Sequence, residues 1–183
     1  MHLPRRAQGL TLIELLLFVV VVGIALAAVL RVFVTATTAS ADPIIRRQQL
    51  SIAESLLREV QLMPFTWCDP DDTNVEQASS TAGCSTVENV GPESGETRYG
   101  PTYFDNVNDY AGFSMTGIRD VGNNAVSGLS GYSASVAVAV AALDSLSAAS
   151  GDALKITVTI TGPDASTLVL QGWRTRYAPQ SPY

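Results

Sequence analysis

The stretch QGLTLIELLLFVVVVGIALAAVL, residues 8–30, limits this chain more than any other part of it. From Leu10 to Leu30 it runs twenty-one residues with one charge, Glu14. As a helix rising ~1.5 Å per residue it spans roughly 30 Å, enough to cross a hydrocarbon core. Arg5 and Arg6 stand just ahead of it. Positive flanks stay inside, so the N-terminus is expected in the cytoplasm and the remainder beyond the membrane. A removable secretory signal fits less well. Its apolar core is only ~7–15 residues long, and the small-residue site Ala39-Ser40-Ala41 lies past the apolar run, beyond Arg31. A plain anchor leaves Glu14 unexplained, because an acid at mid-bilayer costs ~2.5–3.5 kcal/mol and less near the interface. A cut between Gly9 and Leu10 would create an α-amine four residues before Glu14, a cation at the depth of the carboxylate.

At 183 residues there is room for one domain beside that segment. The net charge is −6, and the acid is concentrated after the span. From Cys68 onward thirteen Asp and Glu face five basic residues, Arg98, Arg119, Lys155, Arg174 and Arg176. Such a surface repels phosphate backbones, so no nucleic-acid binding is expected. Cys68 and Cys84 form an even pair in a chain expected outside the cytoplasm, which reads first as a disulfide and otherwise as two free thiols. Closing that loop is worth roughly 3 kcal/mol. A zinc site lacks a third cysteine and a nearby histidine.

The single histidine, His2, precedes the proposed cut, so the processed chain would have no histidine. That removes the usual general base, any Ser-His triad and any His-ligated metal, and nothing marks a catalytic carboxylate pair. No enzyme activity and no cofactor are expected. Two acidic runs are weak calcium candidates, CDPDD (Asp69, Asp71, Asp72) and FDNVND (Asp105, Asp109, with Asn106 and Asn108). Neither has EF-hand spacing, and Asp, Asn and Pro are ordinary turn formers, so the reading stays at no metal.

Beyond the span, Asp42 and Pro43 suit a helix cap and first position, so a kink or restart is expected there. Ile45, Ile52, Leu56, Val60 and Met63 form an apolar stripe that should dock on a sheet. Arg46, Arg47, Glu54 and Arg58 take the opposite side, with Glu54 and Arg58 spaced for an i, i+4 pair. Pro64 closes the helix. Strands are expected late, at SASVAVAV (133–140), with Val136, Val138 and Val140 alternating, and at LKITVTIT (154–161). The turn GPDAS joins the second of these to TLVLQGWRTRY as a hairpin. Helix first and antiparallel sheet after is an α+β plan.

RRAQG followed by LTLIELLLFVVVVGIAL resembles the type III signal of type IV prepilins and pseudopilins. The resemblance implies that prepilin peptidase cuts after Gly9, that Leu10 becomes the N-methylated terminus, and that Glu14 is the fifth-position acid used in assembly. Leu10 departs from the commoner Phe or Met. It also implies a long hydrophobic helix packed on a small β-sheet domain, in four parts: leader 1–9, transmembrane and filament-core helix 10–31, amphipathic continuation 32–63, and a β-rich domain 64–183. The stretches SADPIIRRQQLSIAESLLREVQLMPFTWCDPDD, GETRYG, FDNVNDYAGFSM, GYSASVAV and LKITVTITGPD…GWRTRYAP are similar to D-type minor pilins of the mannose-sensitive haemagglutinin (MSHA) pilus. That likeness implies a minor pilin that helps initiate a surface fibre used in attachment. Its implied partners are the peptidase, other pilins of the fibre, the inner-membrane assembly platform and, before assembly, membrane lipid. The chain would sit in the inner membrane as a single pass, with its C-terminal domain periplasmic, before joining a surface pilus. A type II secretion minor pseudopilin shares the same signal. A carbohydrate-binding tip adhesin is a further alternative, with exposed Trp67, Trp173 or Tyr110 stacking on sugar.

Overall fold

The structure, a computed structural model, describes residues 11–176, leaving aside the side chains of 35–42. The chain divides into two compact units, Met1–Ile44 and Ile45–Tyr183. One helix assignment, α1 (Leu12–Leu62), runs through both.

In the first unit, Leu12–Val34 is long and apolar enough to cross a membrane, and none of it is buried. Its consecutive valines have no special liking for helix, but in lipid a helix satisfies every backbone group within the segment. Helical backbone is assigned through Pro43. Proline's fixed φ suits a helix, but inside one it removes an amide donor and its ring crowds the carbonyl four residues back. The Asp42 side chain lies outside the described residues.

In the second unit, α1 places Ile52, Ala53, Leu56, Leu57 and Val60 in the core. They face a four-stranded antiparallel meander, β3 (Ser114–Thr116), β4 (Ser133–Val140), β5 (Ala153–Thr161) and β6 (Thr167–Thr175), ordered as in the chain. The stripe docks on a sheet as its spacing predicts. Alternation is cleanest on β5, where Leu154, Ile156, Val158 and Ile160 all point inward. On β4 the inward set is Ala134, Val136 and Val138, while Val140 is 44% exposed at the strand end. The register opposes Val136 to Val158 and Ile156 to Gly172. The GPDAS turn closes the β5–β6 hairpin with Gly162 N–H donating to the Ser166 carbonyl at 2.9 Å.

Helix and hairpin approach closely where glycine permits it. A Cβ on Gly172 would lie 2.9 Å from Leu57 Cδ1, and one on Gly162 would lie 2.9 Å from Ile45 Cγ2. Polar pegs sit among these contacts. Gln49 Nε2 donates to the Ser166 carbonyl at 2.9 Å, and Gln61 Nε2 to that of Trp173 at 3.3 Å.

Glu54 and Arg58, both exposed, do not form the expected ion pair. In the second unit Arg98 pairs with Glu59 at 2.6 Å and Arg176 with Asp152 at 3.7 Å. Between helix and sheet, the irregular segment 64–113 also carries a two-residue parallel ladder, β1 (Glu96–Thr97) with β2 (Thr102–Tyr103).

Candidate functional site

Gly9, Leu10, Arg5 and Arg6 lie outside the described residues. Glu14 falls in the first turn of α1, where its amide and that of Leu15 donate to the Thr11 carbonyl at 3.1 and 3.2 Å. An acid in a first turn complements the helix dipole, a modest gain available to any helix. From Leu12 to Val34 the helix presents Leu, Ile, Val and Phe to its surroundings on all sides. A surface this continuous requires lipid or other apolar helices as cover.

The second region lies in the loops before the sheet. Cys68 and Cys84 form a disulfide, with Sγ–Sγ 2.01 Å. Backbone pairing sets the chain on either side of that loop together, Asp69 N–H donating to Thr86 and Glu88 N–H to Trp67, both at 3.2 Å. The loop's own acids are divided by this folding. Asp72 turns inward and accepts the amides of Thr86 and Asn74. Those bonds, Thr86's above all, hold its carboxyl below the usual range. Asp69 and Asp71 instead meet Asp105, so the two acidic runs of the sequence combine in one group.

Asp109 joins a different set. It belongs to the 3-10 turn Val107–Tyr110, whose capping box uses Asn106 and Asp109. Asp109 Oδ2 accepts the amides of Asp105 at 2.9 Å and Asn106 at 2.7 Å. One carboxylate oxygen each of Glu88, Glu93 and Asp109 lies within 4.8 Å of the others. Glu88 is 9% exposed and Asp109 0%. Both Glu88 oxygens, both Glu93 oxygens and Asp109 Oδ1 are buried without a hydrogen-bond partner. Two like charges at that spacing repel by roughly 3–4 kcal/mol at an effective dielectric near 20. Burial first, and then the charges of Asp109, Glu93, Asp105 and Asp69, push the Glu88 carboxyl up to about 9. Burial also raises Asp109 to about 7, against the two amides that favour its charged form. Asp105 rises to about 6, through burial and then Asp69. The group requires neutralisation, by protons or by a cation.

Nothing in the sequence marks Glu88 and Glu93. They stand in a turn-rich run with no ligand spacing, and only the loop packing sets them beside Asp109. A buried network is likewise invisible in the sequence. Arg98 makes a two-pronged bond to Glu59, Nε–Oε1 2.6 Å and Nη2–Oε2 2.8 Å, and Tyr110 OH donates to Glu59 Oε1 at 2.7 Å. Burial opposes the Arg98 charge, but the bond and charge of Glu59 outweigh it and hold the guanidinium above its ordinary value.

The proposed sugar-stacking aromatics need correction. Tyr110 is 1% exposed, packed edge-on to Phe104 at 5.0 Å, and has no face for a sugar. Trp67 and Trp173 are half-buried. The Trp67 ring lies under the Arg176 guanidinium at 3.9 Å, with Phe65 also against that group at 3.7 Å.

No curated protein and no solved structure matches the chain. Residues 4–30 match the family model of the prokaryotic N-terminal methylation motif. The matched segment contains Arg5, Arg6, Gly9, Leu10 and Glu14 and leads into the exposed apolar helix. This match supports a type IV pilin or pseudopilin subunit, a structural rather than enzymatic family, and it implies processing by prepilin peptidase and assembly with other pilins.

Proposed function

We propose that this chain is a minor pilin-like structural subunit of a type IV pilus of the MSHA type, serving fibre initiation and surface attachment. The observation that carries the reading is the methylation motif at residues 4–30 running into a helix none of whose apolar side chains from Leu12 to Val34 is buried. The likeness of the distal stretches to D-type MSHA minor pilins supports the finer assignment. In this reading the peptidase removes residues 1–9 and Leu10 is N-methylated. The helix first spans the inner membrane, with the β-rich domain periplasmic, and then leaves lipid for a core of like helices. Both surroundings cover the same apolar surface. A methylated amine keeps its positive charge. The α-amine of Leu10 on one subunit then pairs with Glu14 of a neighbour, which offsets the cost of the acid and sets the register of entry.

Mass spectrometry of the membrane form tests this directly. Loss of residues 1–9 with one methyl added to Leu10 is expected. An intact Met1, or a terminus after Ala41, defeats it.

A further inference from the structure

We propose that Glu88, Glu93 and Asp109 form a calcium site that ties the segment after the Cys68–Cys84 loop to the 3-10 turn Val107–Tyr110. An acidic cluster by itself is no site, but this one has a second property. Its five free oxygens, two from Glu88, two from Glu93 and Asp109 Oδ1, are buried and accept no hydrogen bond. Glu88 is more than nine-tenths buried and directs a free oxygen into the group.

The donors are hard oxygens alone, with no thiolate or imidazole among them, which selects calcium or magnesium over softer metals. One oxygen from each of the three carboxylates lies within 4.8 Å of the others, close enough for a single cation to touch all three. Calcium takes six to eight oxygens in flexible geometry and accepts bidentate carboxylates, which suits three carboxylates carrying five unpartnered oxygens, whereas magnesium retains most of its water. Three acids also exceed the positive charge nearby. Arg176 pairs with Asp152 at 3.7 Å and gives its other donors to backbone carbonyls of Phe65, Thr66 and Gly151. The scaffold supports the site from both sides. Gly91 N–H donates to the Asn108 carbonyl at 3.1 Å, which fixes the 88–93 segment against the turn, and two amides hold Asp109 Oδ2 so that Oδ1 stays free.

The test is titration of the full-length chain in detergent micelles with calcium chloride alone, by calorimetry, with thermal unfolding compared in calcium and in a chelator. A dissociation constant of roughly 10⁻⁴–10⁻³ M and a higher melting temperature in calcium are expected. Glu88→Gln should weaken binding about tenfold or more, yet melt in chelator no lower than the unsubstituted chain, since it removes a buried charge. Glu93→Gln serves the same purpose if Glu88→Gln fails to fold. Asp71→Asn, in the neighbouring exposed group, should keep its affinity within about twofold. Absence of both heat and a melting shift at about 10 mM calcium overturns the proposal. So does unchanged binding by the glutamate variants, an equal loss in Asp71→Asn, or magnesium binding as tightly as calcium.

Discussion

Among the described acids of α1, Glu59 faces inward, where Arg98 and Tyr110 meet it. Removing one partner of such a pair leaves a buried charge uncompensated. Arg98→Ala should therefore cost about 3 kcal/mol, the lower end of the range for buried pairs because Tyr110 still donates to Glu59. Arg58→Ala, on the exposed side of the same helix, should stay within about 0.5 kcal/mol. Urea melts of the two variants in micelles check the contrast. Asp72 makes a pH-dependent prediction. Its folded-state pKa lies below the unfolded value, so its contribution is present above the unfolded pKa, about 3.9, and is lost as pH falls through the lower folded value. Asp72→Asn should be less stable than the unsubstituted chain at pH 6, and the gap should close toward pH 2. Melts at the two pH values would show an unchanging gap if the carboxylate charge plays no part. Neither role was visible in the sequence, where Asp72 looked like a third member of a calcium run and Glu59 had no partner within a helical turn.

At the scale of elements, legibility followed length and period. β5 and its hairpin with β6 were readable because eight or nine residues of strict alternation have few other solutions. β1, β2 and β3, two or three residues each, have no period to detect; pairing with neighbours makes them strands. The apolar stripe of α1 was equally plain, but Gln49 and Gln61 lie within the same seam and bond hairpin carbonyls, which a polar residue in a helix does not advertise. The disulfide is the other readable link, and it organises the segment before the sheet. Thiol labelling without reductant should find no free cysteine. Replacing Cys68 and Cys84 together by serine should lower unfolding free energy by roughly 3 kcal/mol, the entropy of closing a loop of this size. Loss of under 1 kcal/mol would mean that the surrounding hydrogen bonds already hold the loop.

At the scale of the molecule, the two units answer to different solvents. Ile45–Tyr183 buries its own core, whereas the helix from Leu12 to Val34 leaves its apolar side chains for lipid or neighbouring helices to cover. Glu14 is the one acid on that surface. Glu14→Ala should leave membrane insertion and peptidase cleavage intact while reducing incorporation into fibres, measured by immunoblots of sheared pili against total membrane. Normal incorporation would remove its assembly role.

The anchoring helix, the amphipathic stripe, the alternating strands and the cysteine pair were all set locally, by hydropathy period, charge placement and composition, and these survive in any fold the chain adopts. Contacts across long stretches of loop were not. Asp69 and Asp71 beside Asp105, Glu88 and Glu93 beside Asp109, Arg98 beneath Glu59, and Tyr110 turned into the core all depend on where irregular backbone leads. That path is chosen by burial and hydrogen bonding summed over the whole second unit, so no short stretch carries it. The acids of one written run were parted, and acids far apart were brought within the reach of a single ion.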